Sequence, residues 1–364
     1  MLSFWENKLN LKADFIVVGA GIMGCSVAFE LREKYKHAKI VILERGILPT
    51  GASTKNAGFA CFGSVTEILS DIKKMGLQDA LQLVKDRRAG LSILSSRLSD
   101  QQMGMTRCGG YELILQDVVS ADEIFGLNKE LLDSFHEEVF EDISTEIKSF
   151  GFSSDVRQLI RCKQEAQIDS GNTLMHYWNL LHEKNITIIT GAEVEYIDGN
   201  KLFLKDGIKF SADKIIFCTN AFTKCLQLKN EIKPGRGQVI VTNEIENLKI
   251  KGSFHFDEGF YYFRNIGKRI LFGGGRNLDF QKEETTAFET NEIIVNDLLQ
   301  KLKKLIIPNT HFEIEAHWQG IMAFSENKLP SIQAINSYAD YVMACNGMGV
   351  ALSPLIAKQV VSVL

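Results

Sequence analysis

The sequence predicts an α/β protein in which a parallel-sheet unit is interrupted by a second, α+β unit built on an antiparallel sheet, and three observations predict it. A short apolar strand near the N-terminus runs into closely spaced glycines and a helix. Further strand and turn segments lie around residues 190–223, and a glycine-rich turn before a helix around 346–351. Between them lie helical stretches and strand-rich blocks of a different character. The expected division is 1–64, 151–230 and 326–364 for the first unit, and 65–150 and 231–325 for the second.

The N-terminal element carries the most specific signal. Phe15–Val18 is an apolar run without polar alternation, as in a strand buried on both faces. Gly19, Gly21 and Gly24 follow in GxGxxG spacing, and a helical pattern continues to Lys34. Lys39–Leu43 forms a second strand ending at Glu44. Gly19 permits a tight turn, Gly21 admits a pyrophosphate against the backbone, and Gly24 lets helix and strand pack closely. The helix N-terminus then faces phosphate. Glu44, about 20 residues beyond the last glycine, suits the hydroxyls of an adenosine ribose. Together these parts predict a Rossmann-type unit that binds FAD or NAD(P), with the acid at Glu44 disfavouring a 2′-phosphate.

Composition sets the bounds. The 364 residues, 45% hydrophobic and 24% charged, suffice for two packed domains. A net charge of −4 argues against nucleic acid as a partner. Seven scattered cysteines (Cys25, Cys61, Cys108, Cys162, Cys218, Cys225 and Cys345) form no CxxC or zinc spacing, so free thiols and a reducing cytoplasm are expected. No signal peptide opens the chain, and no apolar run approaches the ~18 residues of a membrane span.

After Glu44 the chain enters GILPTGASTKNAGFACFG, dense in small residues that suit backbone packed on a flat ligand. At this point the sequence resembles the D-amino-acid-oxidase-like superfamily of FAD oxidoreductases, which includes glycine oxidases, sarcosine oxidases and γ-glutamylputrescine oxidoreductases. Gly51-Ala52-Ser53 with Asn56-Ala57-Gly58 resembles the family loop beside the flavin. Thr190–Ile197 resembles the strand whose Val194 meets the adenine, and Asp213–Thr223 the strand and turn that re-enter the nucleotide site at Thr219, Asn220 and Ala221. Asn346-Gly347-Met348-Gly349-Val350-Ala351 resembles the helix start under the flavin pyrimidine ring, where a helix N-terminus stabilises negative charge. The resemblance implies a non-covalently held FAD touched by these residues together with Glu44 and Arg45.

The block from Gly235 to Trp318 reads as strand-rich. Within it, Tyr261-Tyr262-Phe263-Arg264 and Gly273-Gly274-Gly275-Arg276 resemble the strands that place substrate groups over the flavin. Alternation puts Tyr261 with Phe263 on one face and Tyr262 with Arg264 on the other. Arg264 and Arg276 are candidate carboxylate donors. Amino-acid-oxidising members read W-x-G-x-R and then T-x-D-x-x-P; here Trp318, Gly320, Leu329 and Pro330 match, but Met322 stands at the arginine and Asn327 at the aspartate. Methionine cannot hold an α-carboxylate, and the CTNAFT turn looks more like the amine-oxidising γ-glutamylputrescine oxidoreductase branch. Leu271 stands where the sarcosine-oxidase branch has its oxygen-activating lysine, which leaves the electron acceptor open between oxygen and another oxidant.

The resemblance therefore implies oxidation of a C–N bond in a small amine or amino acid, by hydride transfer to flavin N5. An aromatic pocket from Tyr261 or Tyr262 and Trp318 is expected around the amine, with no metal. His255 and His317 are candidate proton acceptors, although structural roles suit both. Oxidation of a 2-hydroxy acid or glycerol phosphate, with His317 and Arg276 serving, is the alternative on the same fold. A non-catalytic FAD-binding protein and an NAD enzyme are the others.

Overall fold

The computed structural model describes residues 11–226, 228–229, 231–344 and 346–364. It divides into two compact units: residues 1–54, 171–233 and 323–364, and residues 55–170 and 234–322.

The first unit is built on an eight-stranded sheet. Its path runs Ser331–Asn336, Ala339–Met343, Lys209–Phe217, Lys12–Val18, Ile40–Leu43 and Thr187–Ile189. From Ala339–Met343 to Thr187–Ile189 the neighbours are parallel. Ile16, Val17, Ile42 and Ile215 are fully buried, which explains the absence of polar alternation in these strands. The hairpin Val194–Asp198/Lys201–Leu204 adds antiparallel to Lys209–Phe217. The helix Ile22–Lys34 follows the first strand, and the Lys34 Nζ donates to the Val361 and Ser362 carbonyls at the end of the helix Gly349–Ser362. The helix Ser170–Glu183 is tied down by Trp178 Nε1, which donates to the Ala20 carbonyl at 3.0 Å, and by the Tyr177 hydroxyl on Ser26.

The second unit holds another eight-stranded sheet, in the order Ile314–Phe324, Lys233–Thr242, Arg269–Gly274, Tyr261–Ile266, Ser253–Phe256, Gly110–Ile114, Gln158–Cys162 and Phe140–Asp142. Ser253–Phe256, Tyr261–Ile266 and Arg269–Gly274 form an antiparallel meander, Lys233–Thr242 pairs antiparallel with the last of them, and Gly110–Ile114 joins Ser253–Phe256 in parallel. One face carries an aromatic core of Phe254, Phe256, Tyr261, Phe263 and Phe272, covered by Ile294 and Leu298 of the helix Glu292–Lys301. Helices Val65–Met75, Leu77–Arg97 and Ala121–Phe135 pack around a second apolar cluster.

The crossings between units fall at 54/55, 170/171, 233/234 and 322/323, so 55–64 and 151–170 go with the second unit, and 231–233 and 323–325 with the first. Strand pairing is the reason: Gln158–Cys162 pairs with Gly110–Ile114, and Phe59–Ala60 with Ala166–Gln167. Of the cysteines expected to be free, Cys345 lies outside the described residues and the other six carry free thiols. No helix among the described residues is long and apolar enough to cross a membrane.

Candidate functional site

In the first unit the glycine turn is built as the spacing predicts. Gly19 has φ +102°, and a Cβ there would come within 2.7 Å of the Cys218 carbonyl oxygen. A Cβ on Gly24 would run into the Gly19 carbonyl. Gly21 has extended φ and ψ and caps the helix Ile22–Lys34 without a side-chain bond of its own. Ser53 reaches this turn, its Oγ accepting from Ile22 N–H at 2.9 Å. The remaining first-turn N–H groups have no intrahelical partner.

Glu44 is buried at the end of its strand. One carboxylate oxygen accepts from Ala20 N–H at 2.9 Å and the other from Gly46 N–H at 3.0 Å. Each oxygen keeps a lone pair for a ribose hydroxyl. The backbone of Gly191 and Ala192 pairs with that of Gly46 and Glu44, which brings the 190–197 segment alongside. Val194 follows at the start of its hairpin, opposite Leu204. The Arg45 guanidinium lies 3.8 Å from the centre of the Phe222 ring.

The turn after Lys209–Phe217 closes the cradle. Cys218 N–H bonds the Val18 carbonyl at 2.8 Å, which sets Thr219 beside Gly19. Asn220 takes a left-handed φ of 53°, and its carbonyl accepts from the Tyr341 hydroxyl; Ala221 is buried behind it. Asn346 binds Ser325 N–H through Oδ1 and the Leu329 carbonyl through Nδ2, fixing the turn at Gly347 and Met348 before Gly349 and Val350 open the last helix.

These residues fit an adenine dinucleotide. The Thr219 Oγ1 is buried without a hydrogen-bond partner among the described residues. A Cβ on Gly51, Gly347 or Gly349 would meet nothing within 4 Å. A ligand that satisfies the hydroxyl and packs on bare backbone answers both observations.

In the second unit, cross-strand register places Val239, Gly273, Tyr262, His255 and Glu112 in one row on the sheet face opposite the aromatic core. Tyr262 lies over Gly273, where a Cβ would sit 2.6–2.8 Å from its ring. With Phe59 and Trp318 it packs on Ala57, Val239, Val241 and Leu271. Phe59 meets the His255 ring edge-on at 4.9 Å and the Tyr262 ring at 6.0 Å. The Tyr262 hydroxyl has no hydrogen-bond partner among the described residues, and burial pushes its pKa up to about 12. Burial also pushes His255 down to about 4, so its ring is neutral at physiological pH.

Tyr261 belongs elsewhere. It is buried in the aromatic core, stacked on Phe256 at 4.7 Å, with its hydroxyl on Asp297 Oδ2 at 2.8 Å. The expected aromatic wall is thus Tyr262 and Trp318, joined by Phe59, which the sequence reading passed over; its alternation with Ala57 in the NAGF segment was the only signal. Arg264 shares the face of Tyr262, but its Nη1 donates to the carbonyls of Gly58 at 2.6 Å, Ile168 at 2.7 Å and Ala57 at 3.3 Å. Burial lowers its pKa to about 10. It is a loop clamp and not a carboxylate receptor. The same clamp explains Gly58, whose Cβ would strike both Ile168 O and Arg264 Nη1, while Asn56 Oδ1 accepts from Gly58 N–H and from the Ser170 hydroxyl. Arg276 starts a short 3₁₀ turn, half-buried, 4.8 Å from the Phe280 ring centre. His317 sits on the opposite side of its strand from Trp318 and bonds Gln238 Oε1 at 3.1 Å. Trp318 Nε1 donates to the Lys55 carbonyl at 3.0 Å.

A parallel sheet with a glycine turn, a strand-end acid and an open helix start defines the dinucleotide-binding class of oxidoreductases. The sequence matches the FAD dependent oxidoreductase family (DAO) over residues 14–363, and the chain belongs to that family. It is an FAD-dependent enzyme. Among curated proteins it is similar to the probable oxidoreductase OrdL of Haemophilus influenzae, 22% identical, with 95% of this chain and 81% of that protein covered. Among solved structures it is similar in fold to glycine oxidase from Geobacillus kaustophilus (19% identity, TM-score 0.74, covering 96% of this chain and 93% of that one). L-proline dehydrogenase from P. horikoshii is similar at 17% identity and TM-score 0.75, over 98% of this chain and 94% of that one.

Proposed function

We propose that the chain oxidises the carbon–nitrogen bond of a small amine, held in its neutral form on the Tyr262–Trp318 face. The chemistry of that face carries the proposal. Phe59, Tyr262, Trp318 and Met322 make it aromatic and apolar, and its arginine, Arg264, is committed to backbone carbonyls. An isolated carboxylate desolvated there would go unpaired, which is costly. An ammonium would be driven to its neutral form by the same desolvation, while the Tyr262 and Trp318 rings favour whatever positive charge persists.

Bound FAD would supply the hydride acceptor; loss of hydride from the carbon beside the neutral nitrogen leaves an iminium ion, which water hydrolyses to a carbonyl compound and the released ammonium or amine. The work of the chain's own residues is to bind, orient and keep water out. Tyr262, protonated across the physiological range, would accept an N–H of the neutral amine at its hydroxyl oxygen, which leaves the nitrogen lone pair free. His255 stays neutral and adds no charge to the face. The similar structures bear the names of enzymes for glycine and L-proline, which supports a nitrogen-bearing substrate. The hydroxy-acid reading needs a base and an anion site; His317, its best candidate base, is turned to the other side of the sheet and bonded to Gln238.

Rapid-reaction measurement of flavin reduction by an amine tests the assignment. Tyr262→Phe is expected to slow reduction or weaken binding by about tenfold to a hundredfold, the cost of one lost hydrogen bond to a desolvated group. Trp318→Ala is expected to weaken binding. Unchanged reduction in both variants would remove these residues from the site.

A further inference from the structure

His255 lies on an inner strand of the second sheet, paired with Tyr262 on one side and Glu112 on the other. Ser253, Phe254 and Phe256 of the same strand are buried, whereas His255 is only half-buried. The ladders on both sides cover the backbone of an inner strand, so the part that water reaches is the ring. That ring is nonetheless deeply set, since burial holds its pKa down to about 4. A neutral imidazole keeps one donor and one acceptor. Neither has a hydrogen-bond partner among the described residues.

The groups around His255 do not use it. Glu112 is turned to Thr66, accepting from its N–H and its hydroxyl. Glu67, whose charge is felt at the ring, pairs with Arg87 at 3.1 Å. Phe59 presents only an aromatic edge, 4.9 Å between ring centres. Tyr262, also half-buried, leans away: its ring lies over Gly273, and its hydroxyl stands 3.5 Å from a Cβ built on Gly237, three strands from His255 in the order of the sheet. At about 4.8 Å per strand, the two unpartnered polar groups are separated by a distance on the order of 10 Å. The Tyr262 and Phe59 rings, 6.0 Å apart, are the apolar surface between them.

We propose that His255 is a second binding point for the substrate, its ring receiving an uncharged hydroxyl or amide at the far end of a chain whose amino group is held at Tyr262. The proposal rests on the amine reading above and deepens it, since it names an amine with a polar, uncharged far end. A hydroxyl or amide supplies both the donor and the acceptor that a neutral imidazole lacks. A carboxylate there would face the charge of Glu67 beside a ring with no charge of its own, and a second ammonium would find Glu67 already committed to Arg87.

The test reads the saturation constant for anaerobic flavin reduction of the FAD-loaded enzyme. The probes are straight-chain amino alcohols over a series of chain lengths, each compared with the alkylamine that carries a methyl in place of the hydroxyl. The wild-type enzyme is expected to favour the amino alcohol by about tenfold at the lengths that span the two groups, the effect of one hydrogen bond. His255→Phe is expected to abolish that preference, and His255→Gln, which keeps a donor and an acceptor, to retain part of it. Melting temperature and flavin content check that the variants fold, and the wild-type ratio stands without them. Reduction by alkylamines with no preference for an amino alcohol at any length would overturn the proposal and leave the amine reading standing. So would a preference that survives in folded His255→Phe, or a stronger response to the matching ω-amino acid than to the amino alcohol. Failure of every amine to reduce the flavin would overturn both.

Discussion

Arg264 reaches from its strand to the carbonyl oxygens of Ala57, Gly58 and Ile168, and its charge strengthens each bond. Replacing it with leucine removes the donor while the carbonyls stay buried. Arg264→Leu is expected to destabilise the chain by about 3–5 kcal/mol, read as a lowered denaturant midpoint; a midpoint within error of wild type would refute the clamp. At the glycine turn, a methyl on Gly24 meets the Gly19 carbonyl, so Gly24→Ala is expected to purify without the flavin absorbance band. That role was legible, because GxGxxG after an apolar strand constrains the backbone itself. The role of Arg264 was not. Alternation assigned it correctly to the face of Tyr262, but no local pattern announces carbonyls supplied from residues 57–58 and 168. Tyr261 misled for a related reason: an aromatic pair in a strand looks the same from either face until the helix Glu292–Lys301 is seen to cover one of them.

The segment between Cys61 and Glu67 is held by carboxylates. Glu165 accepts from Phe62 N–H, Glu112 from Thr66 N–H and its hydroxyl, and Glu67 pairs with Arg87. Burial first, and then the negative charges of Glu67 and Glu112, push Glu165 up to about 8; Cys61 and Cys162 nearby are themselves pushed well up by burial. Because the folded state keeps this proton while the unfolded chain releases it near pH 4.5, stability from Glu165 is full below about pH 4.5 and is lost as pH rises to about 8. Glu165→Gln, which cannot lose the proton, is expected to match wild type at acid pH and to exceed it increasingly toward pH 8, by an amount on the order of a few kcal/mol. Parallel pH profiles for the two proteins would contradict this. The use of Glu112 was not legible, since a glutamate at a strand position reads as solvent-facing until the helix Val65–Met75 is placed over it.

Across the whole molecule, the order of the parallel strands explains why the segments expected at the nucleotide are scattered through the chain. Lys12–Val18 has Ile40–Leu43 on one side and Lys209–Phe217 on the other, so residues far apart in sequence meet at Gly19 and Cys218. The separate sequence fragments were readable because each carries its own turn chemistry. The unit boundaries were less so, because cross-strand pairing, invisible locally, draws 151–170 into the second sheet. Since FAD binds the folded chain and not the unfolded one, loading is expected to raise the melting temperature, with about 2.7 kcal/mol gained at a hundredfold excess over Kd. The most direct test of the account is an anaerobic absorbance titration of the FAD-loaded protein with amines, α-amino acids and 2-hydroxy acids in turn. Bleaching of the flavin by an amine, with little response to 2-hydroxy acids, is the predicted result. Bleaching by a 2-hydroxy acid where every amine fails would contradict it.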